Sequence, residues 1–318
     1  IYIVHKLIFL FSCILSCLVS LGQQDPQFSQ NMFNKLANNP GFAGSRGGVA
    51  TSVIHRSQWI GFGQDGDAGA STQNFSVDAE LPFLFGGVGL NIVTDKIGGY
   101  SNLGLQASYA YRTNLGVGQI GMGMSFGIFQ SGLNGGFLQP ATSGDPFIPT
   151  GDVKGSALDF GAGIYYNTRD VYIGISSAHL TEPTIEWSNG QYYNMSRHYF
   201  LIAGYTHDLN SSLLIHPSIY LKSDGSTSQL DVNTSIIYNN NMWGGVSYRL
   251  DEGLIFITGF NIKEDLKLGL AYDVVLSPIK NNSVEVMLAY NFKIKHNKGI
   301  SKYTVSYTHL RAHETLLY

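Results

Sequence analysis

The sequence predicts an all-β protein, a transmembrane antiparallel β-barrel of about fourteen strands, and three observations predict it. Apolar and polar residues alternate with period two over stretches of about 10 residues, repeatedly along the chain, as in strands with one lipid face and one lumen face. Charge is low, at 13%, and glycine is abundant, at 38 of 318 residues, against an ordinary ~25% and ~7%. Connections alternate between short and long, as expected when periplasmic turns lie on one side of a barrel and surface loops on the other. Low charge without long apolar runs excludes a helical membrane protein, and the net charge of −3 gives no basic footprint for nucleic acid.

Taken in order, residues 1–22 carry Lys6, an apolar run from Leu7 to Leu21, and the small residues Ser20 and Gly22. This pattern is expected of a secretory signal peptide cleaved before Gln23, since it is too short and wrongly flanked for a spanning helix. A lipoprotein cut at Cys17, after Ile14-Leu15-Ser16, is the rival, but Leu18, Val19 and Leu21 continue the apolar core past that cysteine. Both cysteines, Cys13 and Cys17, fall in this segment, so no thiol chemistry is expected after cleavage.

Residues 23–46 form a second unit, an N-terminal plug or docking segment on the periplasmic side. Phe28, Met32, Phe33, Leu36 and Phe42 are interleaved with Gln, Asn, Pro and Gly, a spacing that fits neither a strand nor a clean amphipathic helix. Pro26 and Pro40 stiffen its path. Left free, its aromatics would be exposed, so it requires a packing partner, expected at the periplasmic mouth and inner wall of the barrel. Its candidate plug or partner-binding residues are Asp25, Pro26, Gln27, Phe28, Ser29, Gln30, Phe33, Asn39, Pro40 and Phe42.

Residues 47–304 are the barrel. Strands are expected near 47–56, 69–80, 86–94, 101–112, 117–130, 155–167, 170–178, 196–207, 211–223, 227–238, 241–250, 253–262, 265–275 and 283–294. Val284, Val286, Leu288, Tyr290, Phe292 and Ile294, for example, alternate with Ser283, Glu285, Met287, Ala289, Asn291 and Lys293. The connections after even strands are short, such as Thr168-Arg169, Asn239-Asn240 and Lys263-Glu264. Three after odd strands are long: 57–68, 131–154 and 179–195. Pro217 is the misfit, because proline removes a ladder hydrogen bond, and a β-bulge is expected there. Residues 305–318 are expected to be an adapter-derived tail, VSYTHLRAHET being unlike protein sequence, so His309 and His313 are given no metal role despite their i, i+4 spacing.

Asp25-Pro26-Gln27-Phe28-Ser29-Gln30, Met32-Phe33-Asn34, Asn39-Pro40 and Ala43-Gly44-Ser45 closely resemble the opening of the PorP/SprF family of type IX secretion outer-membrane proteins from Bacteroidetes. The resemblance continues in order through Asp95-Lys96-Ile97-Gly98, Ser156 to Tyr166, Arg197-His198-Tyr199-Phe200, Pro217-Ser218 with Lys222, Tyr248-Arg249 and Gly269 to Asp273, so that it covers 23–295. Gly41-Phe42 departs from it, since the family more often has Ala-Tyr, and the family's short basic, proline and aromatic ending is replaced by the tail. The resemblance implies a non-enzymatic accessory of type IX protein secretion or gliding motility in the cell outer membrane. It would anchor periplasmic secretion components or a peptidoglycan-binding lipoprotein, or serve as partner of a secreted surface adhesin, with outer-membrane lipid around it.

The residues themselves show no chemistry of an enzyme. No nucleophile motif is recognisable. His55, His179, His198, His207, His216 and His296 stand at no metal-ligand spacing, so no cofactor or metal is expected. His198, Trp59, Trp187 and Trp243 read as interfacial girdle residues, and Arg56 with Trp59 as a loop anchor or a partner contact. Arg112, Lys222, Asp231, Lys267, Asp273, Glu285 and Lys293 fall on lumen faces. They line either a channel or a wall paired with the N-terminal segment, the second being favoured. A diffusion porin or hydrophobic-solute transporter is the alternative function, and an outer-membrane hydrolase a third.

Overall fold

A computed structural model describes residues 25–62, 69–138, 148–149, 151–263, 265–276 and 281–292. The expected signal peptide, the adapter-like tail and Lys293 lie outside these residues. Seventeen strands follow in chain order: β1 (Val49–Gln58), β2 (Ala70–Leu81), β3 (Gly86–Ile97), β4 (Tyr100–Leu115), β5 (Gly118–Asn134), β6 (Asp152–Asn167), β7 (Val171–Ala178), β8 (Thr184–Glu186), β9 (Tyr192–Asn194), β10 (His198–Tyr205), β11 (His207–Asp208), β12 (Leu213–Ser223), β13 (Ser228–Tyr238), β14 (Met242–Arg249), β15 (Gly253–Lys263), β16 (Leu266–Val275) and β17 (Ser283–Phe292). β8 and β9 form a separate hairpin, and β11 continues the line of β10 along β12. The other fourteen form one antiparallel sheet in sequence order, closed where β1 pairs with β17, Val49 opposite Phe292 through to Ser57 opposite Val284. Closure removes both sheet edges, which is what a backbone inside lipid requires. Among the described residues no helix is long and apolar enough to cross a membrane.

The two faces separate as the alternation demands. Leu105, Met124, Phe126, Ile175, Val246, Phe256 and Leu288 are exposed on the outside, and Asn74, Ser76, Asp231, Asn233, Ser247 and Glu285 are buried inside. Leu268 shares the outer face, since its ladder partners are Phe260 and Leu288. Tight turns close the short end. At Asn239 and Asn240 both φ angles are positive, 51° and 54°, the left-handed pair of a type I′ hairpin turn that asparagine tolerates. At the long-loop end the β8–β9 hairpin folds over the barrel rim, packing Ile185, Trp187 and Met195 against Leu133 and Val153. By the length rule the short end is periplasmic and the long-loop end faces outward.

Pro217 corrects one expectation. β12 pairs with β13 without interruption, Pro217 opposite Thr234, and its pairing with β10 and with β11 keeps one register on both sides of Thr206. No extra residue is inserted. The ladder instead lapses opposite the proline, and Thr206 turns its N–H to the Asp170 carbonyl at 2.7 Å and its Oγ1 to His216 Nδ1 at 2.9 Å. The missing donor is absorbed by a gap. Among the described residues a register shift lies between Asn261 and Lys263, at the short end of β15.

Candidate functional site

The segment before β1 lies inside the barrel. It starts at Asp25 beside the outer ends of β7, β10 and β12, runs through a single helical turn, α1 (Lys35–Asn38), then a 3₁₀ turn at Pro40–Phe42, and leaves at the periplasmic end. Of the periplasmic mouth and inner wall expected for it, the mouth holds its second half, and its first half runs along the inner wall to the opposite end of the lumen. The path is broken into short turns, in keeping with the irregular spacing of its apolar residues.

At the outer half, the wall supplies charge. Arg56, Arg249, Asp231, Asp273 and Glu285 are each no more than 3% exposed. Arg56 Nη2 donates to Asp273 Oδ2 at 2.7 Å, and Arg249 grips Asp231 through Nε and Nη2, both at 3.0 Å. With Glu252 also 3.6 Å from Arg249, carboxylates outnumber guanidiniums in this wall. The segment makes up the difference with donors. The Ser29 and Gln30 N–H groups donate to Glu285 at 2.7 and 2.9 Å, Ser29 Oγ donates to Asp273 at 2.7 Å, and Asn31 Nδ2 donates to Asp231 at 3.1 Å. Charge-assisted bonds of this kind are about twice as strong as neutral ones. The Phe28 carbonyl in turn accepts from Arg249 at 3.3 Å.

Beneath the network, the apolar side chains find their partner. Phe28 and Met32 cluster with Ile54, Trp243, Ile255, Ile257, Ala271 and Met287, and the Phe33 ring lies 5.3 Å from that of Trp243. On the opposite wall Leu36 and Phe42 join Ala110, Tyr165 and Tyr172, Phe42 meeting Tyr165 edge-on at 5.1 Å. Lys35 Nζ stands 3.4 Å above the Tyr172 ring. The ring face attracts the cation.

At the periplasmic end the segment and the wall meet backbone to backbone. Asn39 caps the 3₁₀ turn, its Oδ1 accepting from the Gly41 N–H at 2.8 Å, and its Nδ2 donates to the Ile164 carbonyl of β6 at 3.0 Å. A Cβ on Gly123 of β5 would fall on Pro40 and Gly41, and one on Gly87 of β3 on Ala43 and Gly44. These inward glycines are the seat of the segment. Arg46 and the Gly44 N–H both bond to Asp78 before the chain enters β1.

Asp25 belongs to a separate cluster at the outer end. Its carboxylate Oδ1 lies 3.0 Å from His179 Nε2, and Asp159 Oδ1 lies 2.9 Å from His179 Nδ1. The Asp25 N–H donates to His198 Nε2 at 3.3 Å, and its carbonyl accepts from Lys222 at 2.7 Å. Burial opposes charge on His179, but the Asp25 carboxylate and the Asp159 hydrogen bond override it and push the pKa up to about 10. Burial likewise opposes charge on Asp25, yet His179, His198 and Lys222 hold it well below the carboxylate range. A cleft adjoins this cluster and is lined by Pro26, Asp95, Asp159 and Tyr193 among others.

All ten sequence-selected residues thus sit in the lumen or at this cleft, with Gln27 half-buried between Pro26 and Phe28. Three other readings are corrected. His198 and Trp243 are not girdle residues, because both point inward and are buried. Arg56 is no loop anchor but the centre of the charged wall. Trp187 belongs to the surface hairpin, which buries it against the barrel rim. The wall histidines were missed because nothing in sequence links residues 19 and 154 positions apart to one point in space.

Residues 20–290 match the family described as type IX secretion system membrane protein PorP/SprF. The chain belongs to that family. No curated protein matches it. Among solved structures, the toluene transporter TbuX of Ralstonia pickettii is similar at 14% identity over 81% of this chain and 93% of that one, with a TM-score of 0.48. The toluene transporter TodX of P. putida is similar at 12% identity over 80% and 93%, with a TM-score of 0.47. Outer membrane protein Omp33 of Acinetobacter baumannii gives 7% identity over 76% and 97%, with a TM-score of 0.44. Membership in PorP/SprF, the closed barrel and its apolar outer face place the protein in the outer membrane.

Proposed function

We propose that this PorP/SprF protein is a closed, non-enzymatic accessory of type IX secretion, which works by holding proteins at its two faces and passes no solute through its lumen. It would anchor periplasmic secretion components at the short-turn end or receive a secreted adhesin at the loop end. The observation that supports this reading is the occupied lumen. The segment from Asp25 to Arg46 bonds to opposite walls through buried charge, and a freely diffusing solute would have to displace it. A porin would need that volume empty. Side chains that cap the periplasmic end, Phe83 and Phe85 in one turn and Leu115 and Val117 in the next, are exposed and apolar, and aromatic or aliphatic anchors of this kind suit either headgroups or a protein partner.

The test is complementation of a deletion strain with a chain lacking residues 25–39. Heat-modifiable migration reports whether the barrel assembles, immunoblotting of the medium and cell surface reports secretion, and pull-down reports partners. The reading predicts a barrel that still reaches the outer membrane but loses secretion of its cargo or its periplasmic partner. Normal secretion with normal partners would contradict it.

A further inference from the structure

We propose that Asp25, His179 and His198 form a divalent transition-metal site, suited to Zn²⁺, that clips the start of the lumen segment to the barrel wall. One donor atom from each of the three lies within 4.8 Å of the others. The Asp25 Oδ1 to His179 Nε2 separation of 3.0 Å approaches that of two ligands on one tetrahedral zinc, each about 2.0–2.2 Å from the ion.

The outer contacts of the two imidazoles carry the inference further. His179 Nδ1 bonds to the Asp159 carboxylate at 2.9 Å, and His198 Nδ1 to the Ser196 carbonyl at 3.0 Å. Each therefore has its Nδ1–H fixed by an acceptor and its Nε2 aimed at Asp25. Carboxylate and carbonyl partners of this sort orient ligating histidines and raise their basicity. Among the described residues, His198 Nε2 accepts a long 3.3 Å contact from the Asp25 N–H, which little is lost by releasing. Charge also fits a dication, since Asp95 and Asp159 line the cleft beside Asp25 and Asp159 bonds to His179, with Lys222 bound to the Asp25 carbonyl.

Three protein ligands leave a fourth position for water, and the adjoining cleft gives an ion a way in. Binding would expel the proton held between His179 and Asp25. Its consequence is mechanical: the ion joins the segment to the wall through residues 154 and 173 positions away, at the outer end where no glycine seat holds it. The inference uses only the docked position of Asp25, so a barrel that binds zinc but is dispensable for secretion would leave it standing.

The experiment is titration of the purified full-length barrel in detergent with ZnCl₂, followed by calorimetry and metal analysis. One Zn²⁺ per chain is expected. Asp25→Asn and His198→Gln should each abolish one-to-one binding, Asp159→Asn should weaken it roughly 10–100-fold, and His55→Gln, on the outer face, should leave it unchanged. Heat-modifiable migration confirms that each variant is folded. Because a variant could fail there, Co²⁺ is also added to the unmodified barrel, where intense visible absorption of tetrahedral cobalt is expected. Absence of stoichiometric Zn²⁺, binding by Asp25→Asn or His198→Gln equal to that of the unmodified barrel, or a six-coordinate aqua-like cobalt spectrum would overturn the proposal.

Discussion

At the scale of single residues, burial decides which charges matter. Arg56 is the hinge of the outer network, since it neutralises Asp273 at 2.7 Å and Glu285 at 3.7 Å. Arg56→Ala would leave those carboxylates with the more distant Arg249 and with neutral donors from the segment. Breaking a buried pair in this way costs about 3–5 kcal/mol, to be read as a shift of the urea unfolding midpoint in detergent. An unchanged midpoint would mean that the wall is solvated. On the other face, Leu288 is exposed to lipid and Ala289 turns inward. Leu288→Lys should cost roughly 2–4 kcal/mol and lower the yield of folded barrel, while Ala289→Lys should be mild. Equal losses would mean a register slipped by one, which exchanges the faces. The sequence showed that Asp231, Asp273 and Glu285 face inward, because alternation carries that information. It could not show that Arg56 joins them, because an arginine at a strand end reads equally as a loop anchor.

At the scale of elements, the strands were legible and the segment's path was not. Period two survives in every barrel strand because each has one lipid face, so all fourteen appear in sequence at nearly their observed bounds. Pro217 was read as a bulge because a proline must be accommodated somehow; the choice of a gap depends on Thr206 finding Asp170, a non-local partner. For the segment, the need for a packing partner was visible in Phe28, Phe33 and Phe42, yet its track is written in the wall, as inward glycines that look like ordinary strand glycines. Gly123→Val tests this, since the new side chain would occupy the place of Pro40 and Gly41. Overpacking costs typically about 1–3 kcal/mol and should fall on docking, because valine suits a strand. The expected result is a folded barrel whose residues 25–45 become sensitive to protease. Unchanged protection would show that the seat is not required.

At the scale of the whole molecule, the arrangement is a closed wall around a fixed filling, tied at one end by backbone contact and at the other by charge. Its orientation follows from turn length. An epitope placed at Asn189-Gly190, the exposed turn of the β8–β9 hairpin, should be labelled on intact cells, whereas labelling only after lysis would invert the barrel. The central claim is that residues 25–46 close the lumen. Conductance in planar lipid bilayers tests it most directly, comparing the intact chain with one lacking residues 25–39. The account predicts no steady current from the intact protein and a stable open conductance from the shortened one. A steady current of the same size from both would contradict it.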